Sequence, residues 1–272
     1  MMRPTKAYAP SRYGQLHYRI VTPDAASQPP LLCLHQTPSN SRQWEPIQPY
    51  LAKDRVVVAP DTPGYGMSDP PPEPVEIGDY AEAMFDFMEH LAGHGIVAPG
   101  AFDVMGYHTG SITATEMARR DSQRVRRCVL FGLAAYPEDV RAERLDRLSE
   151  RFPPPDRTLG HVEKLWSLIG ELADPGIPAE ELHVGMADAL RLGSRLPWGY
   201  IAVYRYDFLG AMAEVGQPVL VVNPEDDLWA VTHQTSHLFR NGRRLDIPGF
   251  SHGVLSLRRD YLVEEIERFL RQ

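Results

Sequence analysis

Short apolar runs recur along this chain with helix-patterned sequence between them, and that recurrence leaves few folds open. The runs are PLLCLH (30–35), RVVVAP (55–60), AFDVMG (101–106), RRCVLFG (126–132) and QPVLVVN (217–223). A strand that reads as a nearly continuous apolar run is buried on both faces. Alternation with helices then predicts an α/β architecture: a mostly parallel central sheet with helices on both sides. Two of the helices can be placed by period. Ile77, Ala81, Met84, Met88 and Leu91 share one face, as do Leu262, Ile266, Phe269 and Leu270. Ahead of the first run, TKAYAPSRYGQLHYRIV predicts two antiparallel strands around a turn at Gly14, forming the sheet's first edge.

From 137 to 212 the alternation stops. The segment is charged, helix-prone and punctuated by FPPPD, ADPGIP and LPW. It predicts a helical cap over the carboxyl ends of the strands, with 1–136 and 213–272 forming the core domain. Within it, PWGYIAVYRYDF sets Tyr200 and Tyr204 on one helical face. Packing of cap onto body is the plainer expectation for that face, and pocket lining the alternative.

A chain of 272 residues with 43% hydrophobic content can bury a large core. Its net charge of −8 argues against nucleic acid or an anionic membrane surface as partner, since either needs a basic stripe. A small-molecule substrate is the expected partner, and a homodimer through an exposed cap or edge strand would be ordinary. No stretch is long and apolar enough for a membrane span or a secretory leader, which predicts a cytoplasmic protein. Cys33 and Cys128 both fall in apolar runs and are expected to pack as small hydrophobes.

In an open parallel sheet, ligands bind outside the carboxyl ends of the strands. The residues just past the strands are HQTPSNS (35–41), APDTPGYGMSD (59–69), GYHTG (106–110), NPEDDL (223–228) and PGFSHG (248–253). In DVMGYHTGSITATEMA (103–118) a strand runs through Gly-x-x-x-Gly into a helix, a framework that holds its middle side chain clear of the backbone. That side chain is His108. A histidine in a turn is a weak signal alone; its placement between a buried strand and a helix start makes it a site candidate. His252 lies in a late loop suited to a base. Asp226 and Asp227 are adjacent and either can cap the following helix, with spacing favouring Asp227 as the functional acid. Ser111 reads as a helix-start residue, and His161, His183, His233 and His237 stand in no motif.

As an ordered set these segments resemble the α/β-hydrolase superfamily, from about Gln15 to Leu270. GYHTG stands where that superfamily carries its nucleophile elbow, Gly-x-Ser-x-Gly; Gly106 and Gly110 match, and His108 replaces the serine. The resemblance implies Asp227 as the acid and His252 as the general base. It also implies HQTPSNS as the oxyanion loop, with the backbone N–H groups of Thr37 and Thr109 as donors worth roughly 3 kcal/mol each. Gln36 replaces a common glycine and adds an amide for substrate; Tyr107, beside His108, is a further substrate-contact candidate. Asp61, Gly64 and Gly66 match a structural turn. The implied activity is hydrolysis of a small carbonyl compound (an ester, a lactone or a C–C bond next to a carbonyl) with no cofactor and no metal.

A neutral imidazole has a free lone pair, so His108 could itself attack a carbonyl. Its Nε2, however, stands roughly 2 to 3 Å farther out than a serine oxygen, and a displacement of about 1 Å can cost on the order of 100-fold in rate. The preferred use is therefore an acid/base pair of His108 and His252. Two close imidazoles cannot both be charged cheaply, which predicts that one titrates below its reference value while Asp227 holds the other. The same groups suit a lyase or decarboxylase. A non-catalytic ligand-binding protein of the same fold is a further alternative, against which retention of Asp227 and His252 counts. A metal held by His108, His252 and a carboxylate would require the acid to abandon His252.

Overall fold

A computed structural model describes residues 3–272. Its sheet comprises β1 (Thr5–Ser11), β2 (Gly14–Val21), β3 (Leu31–Leu34), β4 (Val57–Pro60), β5 (Phe102–Tyr107), β6 (Val125–Phe131), β7 (Val219–Pro224) and β8 (Gly242–Ile247). Their spatial order is β1-β2-β4-β3-β5-β6-β7-β8. β1 and β2 pair antiparallel around Gly14, β2 pairs antiparallel with β4, and the remaining pairs are parallel. Each apolar run overlaps one parallel strand. β8, GRRLDI, produced no such run because it is the far edge of the sheet and carries charged side chains toward water.

The period-2 alternation of side chains divides the strands between two cores. Leu32, Leu34, Val104 and Leu130 point to one face, where α2 (Ile77–Gly93) and α3 (Thr109–Arg120) pack. Leu31, Cys33, Met105 and Val129 point to the other, beneath α1 (Gln48–Leu51) and α12 (Arg259–Leu270). Both periodic faces expected from the sequence are buried: Ile77, Met84 and Leu91 on α2, and Leu262, Ile266, Phe269 and Leu270 on α12. Cys33 and Cys128 are buried and unbonded.

The stretch between β6 and β7 is helical. It contains α4 (Glu138–Asp146), α5 (Leu148–Arg151), α6 (Gly160–Leu172), α7 (Ala179–Leu190), α8 (Trp198–Arg205) and α9 (Phe208–Glu214). After β7 come α10 (Trp229–Thr235) and α11 (Val254–Leu257). Among the described residues no helix is long and apolar enough to cross a membrane.

The turn expected after β4 organises the ground beneath the site. Buried Asp61 accepts from the His17 ring (2.8 Å), Ser41 N–H (2.7 Å) and Met67 N–H (2.8 Å). Burial alone would raise its carboxyl, but these bonds and the nearby His35 hold it at about 2. Gly66 has φ of 54°, and a Cβ there would run into the Asp61 carboxylate.

Candidate active site

β5 ends at Tyr107 and α3 begins at Thr109, so His108 alone makes the turn between them, with φ 47° and ψ −105°. A side chain in that region costs about 1–3 kcal/mol and persists only where its surroundings demand it. Here the His108 N–H donates to Phe131 O (2.8 Å), and its carbonyl accepts from Ser111 N–H (2.9 Å) and Ile112 N–H (3.2 Å). Close approach enforces small neighbours. A Cβ at Gly106 would overlap the Gly110 backbone, and one at Gly110 would overlap the Leu34 carbonyl. Ser111 is no displaced nucleophile: it is fully buried and its Oγ donates to Gly106 O and Phe131 O, both at 3.0 Å.

Past β7, three consecutive carboxylates take three different partners. Glu225 accepts from Gly249 N–H at 2.7 Å and so ties down the loop that carries His252. Asp226, its side chain fully buried, accepts from His108 Nε2 at 2.8 Å and from Leu228 N–H at 2.8 Å. Asp227 accepts from His252 Nε2 at 3.1 Å. The expected Asp227–His252 partnership is thus present, and Asp226, which spacing had set aside, holds the elbow histidine. The adjacent acidic pair was visible in the sequence, but nothing there revealed that one strand end could serve two histidines.

The two imidazoles meet edge to face with ring centroids 5.2 Å apart. Burial works against a charge on His108, yet Asp226 and Asp227 together outweigh it and push its pKa above the ordinary histidine value. The expectation of a depressed imidazole therefore fails at His108, because it left out a second carboxylate in contact. Asp227, despite its burial penalty, is held well below the usual carboxylate range by His252, His108 and Arg151. Gly132, just past β6, supplies the room: a Cβ there would stand 2.6 Å from His108 Cδ2 and 2.8 Å from Nε2. With that edge of the ring against Gly132 and Asp226, the Nδ1–Cε1 edge is the one left for substrate. This also changes the reach expected of His108, since Nδ1 lies nearer the backbone than Nε2.

The loop bearing His252 is clamped from the helical insertion. Asp174, nearly buried, accepts from Ser251 N–H at 2.8 Å and Gly253 N–H at 2.6 Å, one on each side of the histidine. In the sequence Asp174 is marked only by the proline cluster ADPGIP within the helix-prone segment. Asp174→Ala leaves two N–H groups without their acceptor and frees His252; kcat is expected to fall about 10-fold or more with a smaller change in KM, as measured by steady-state kinetics.

The HQTPSNS loop lies opposite the elbow. The N–H groups of Thr37 and Thr109 have no hydrogen-bond acceptor among the described residues, as oxyanion donors require. The Thr37 carbonyl accepts from Tyr200 Oη at 2.9 Å, so α8 pins the loop. Gln36 donates its N–H to Gln43 Oε1 at 3.0 Å, while its own Oε1 is buried and unpartnered. His108, His252, Asp227, Gln36, Thr37 and Thr109 border one cavity of about 640 Å³ between the strand ends and α4–α8. Tyr200 and Tyr204 line it, with rings 6.3 Å apart, so that face does more than pack. Tyr107 does not reach it. Fully buried, it stacks on Phe131 at 5.3 Å and sits edge-on to Trp44, a core residue under the elbow rather than a substrate contact.

Among the described residues, one group has ligand geometry for a metal ion: His108, Asp226 and Asp227, with ligand atoms within 4.8 Å of one another. It differs from the expected set in replacing His252 by a second carboxylate, and both carboxylates are already engaged by imidazoles.

A family model for the alpha/beta hydrolase fold matches residues 29–160. The chain is 25% identical over 260 residues to the 2-(acetamidomethylene)succinate hydrolase of Mesorhizobium japonicum, covering 91% of this chain and 90% of that protein. It is 23% identical over 254 residues to a bifunctional esterase/perhydrolase of Acinetobacter calcoaceticus, covering 87% and 90%. Among solved structures, the enol-lactonase of Burkholderia xenovorans LB400 aligns with a TM-score of 0.78 at 20% identity, over 98% of this chain and 100% of the other; at that identity the likeness is one of fold.

Proposed function

We propose that this hydrolase, which has the α/β-hydrolase fold, cleaves a small carbonyl compound, without a cofactor, through two histidine–aspartate pairs acting as base and acid. The observation that carries this reading is the pairing itself: His252 on Asp227, His108 on Asp226, and the two rings 5.2 Å apart at one cavity.

His252, oriented by Asp227, takes a proton from water as the water oxygen bonds to the carbonyl carbon. The charge that develops on the carbonyl oxygen meets the N–H groups of Thr37 and Thr109. Collapse breaks the bond to the leaving atom, which receives a proton from His108. His108 suits that role because Asp226 and Asp227 favour its imidazolium. The proton gained by His252 and the one lost by His108 balance, and exchange with solvent restores both rings. The relatives named above support the substrate class, since an acetamidomethylenesuccinate, an enol lactone and esters are all small carbonyl compounds.

A second use of His108 has one observation in its favour: its Nε2 is engaged by Asp226 while its Nδ1 has no hydrogen-bond partner among the described residues. Attack by that nitrogen would form an acyl-imidazole. Rapid-quench mass spectrometry during turnover of a short activated ester separates the two: the acid/base route leaves the protein mass unchanged, and an acyl adduct on His108 would overturn it.

A further inference from the structure

The cavity holds guanidinium groups that have no anion of their own. Arg144 on α4 and Arg151 at the end of α5 both line it and are half-buried. Between them in sequence, Arg147 is paired with Glu143 and Glu150. No carboxylate among the described residues lies within 4.0 Å of Arg144 or Arg151. Both instead rest on aromatic walls, Arg144 over the Tyr136 ring at 4.1 Å and Arg151 over Phe152 at 5.6 Å. Stacking of this kind leaves the planar fork of N–H donors pre-organised for a carboxylate.

The other charges bordering the cavity are mostly answered. Arg42 faces Asp188 at 3.7 Å, Glu45 accepts from Arg19 at 2.7 Å, and Asp227 holds His252, while Glu181 is exposed on α7. Arg151 also lies toward the chemistry, since its charge is felt by Asp227 and by the Tyr200 and Tyr136 hydroxyls. The remaining wall is apolar, with Leu165, Leu168 and Ile169 of α6. Two guanidiniums that line the cavity with no carboxylate in contact have their donors free for an anion from outside the protein.

We propose that Arg151, assisted by Arg144, anchors a carboxylate of the substrate, so that the preferred substrates are small carbonyl compounds carrying a second, ionised carboxyl group beyond the bond that is cut. This rests on the hydrolase reading above and adds the feature by which the cavity selects among carbonyl compounds.

The test compares kcat/KM for an aryl half-ester of succinate or glutarate with that for the matching neutral carboxamide ester. It uses wild type, Arg151→Gln, Arg151→Lys and Arg144→Gln, with calorimetric binding of free succinate and glutarate alongside. Among the described residues the Arg151 guanidinium has no hydrogen-bond partner and rests on the Phe152 ring, so its replacement should leave the melting temperature in place. Wild type is expected to prefer the charged ester by about 10- to 100-fold, the usual loss when one charged hydrogen-bonding partner is removed. That preference should collapse in Arg151→Gln, recover in part in Arg151→Lys, and fall less in Arg144→Gln, with dicarboxylate binding following the same order. Turnover of both esters with the same ratio in wild type and Arg151→Gln overturns the anchor and leaves the hydrolase standing. Arg151-dependent dicarboxylate binding with no turnover of any ester overturns the hydrolase and keeps the anchor.

Discussion

Alanine at His252 is expected to lower kcat on a short activated ester by about 10²- to 10⁴-fold, the range general acid–base groups supply. The change removes the imidazole that Asp227 orients, while the Thr37 and Thr109 N–H groups and the His108–Asp226 pair stay in place. KM should move much less, because the ring contributes to proton transfer rather than to holding the substrate. Steady-state kinetics on purified protein provide the check. A kcat within about threefold of wild type would mean that the base lies elsewhere.

Asp226→Asn should produce the second large effect, and its signature lies in pH. In the wild type, burial disfavours the His108 imidazolium and the carboxylates outweigh it, so the folded pKa stands above the reference value. A group raised on folding contributes stability that is fully present below its unfolded pKa, near 6.5, and is lost as pH rises through the folded value. Without the Asp226 charge, burial dominates, the His108 pKa drops, and that contribution shrinks or reverses below neutrality. Asparagine can still accept from Leu228 N–H, so the loop keeps its turn. The alkaline limb of kcat against pH should therefore move to lower pH, with activity above neutrality falling about 10- to 100-fold. NMR titration of the His108 ring should report the same displacement. An unmoved alkaline limb would show that His108 is not the acid.

Much of this arrangement is legible in the sequence, for definite reasons. Parallel strands buried on both faces must be apolar throughout, so PLLCLH, AFDVMG and QPVLVVN announced β3, β5 and β7. The half-exposed edge strand GRRLDI carries no such constraint and left no signal. The elbow was readable because Gly106 and Gly110 are required where a Cβ would strike backbone. Gly132 meets the same kind of requirement against the His108 ring, but that contact crosses from β6 to β5 and has no local pattern. Asp226 was hidden for a related cause: its partner is 118 residues away, and only the folded strand order brings the two together. Asp174 clamps the His252 loop from a distance of 79 residues at Gly253. Tyr107 misled in the opposite sense. Adjacency to His108 suggested substrate contact, but successive side chains of a strand point to opposite faces, and Tyr107 points into the core.

The most direct measurement compares wild type, His108→Ala and His108→Ser on the same panel of short aryl esters and small lactones. Wild-type turnover, reduced about 10²- to 10⁴-fold by alanine, is the result expected if the elbow imidazole is a working acid. No wild-type turnover, with hydrolysis emerging only in the serine variant, would show intact oxyanion donors and an intact Asp227–His252 pair around a histidine that does not hydrolyse, and would contradict the account.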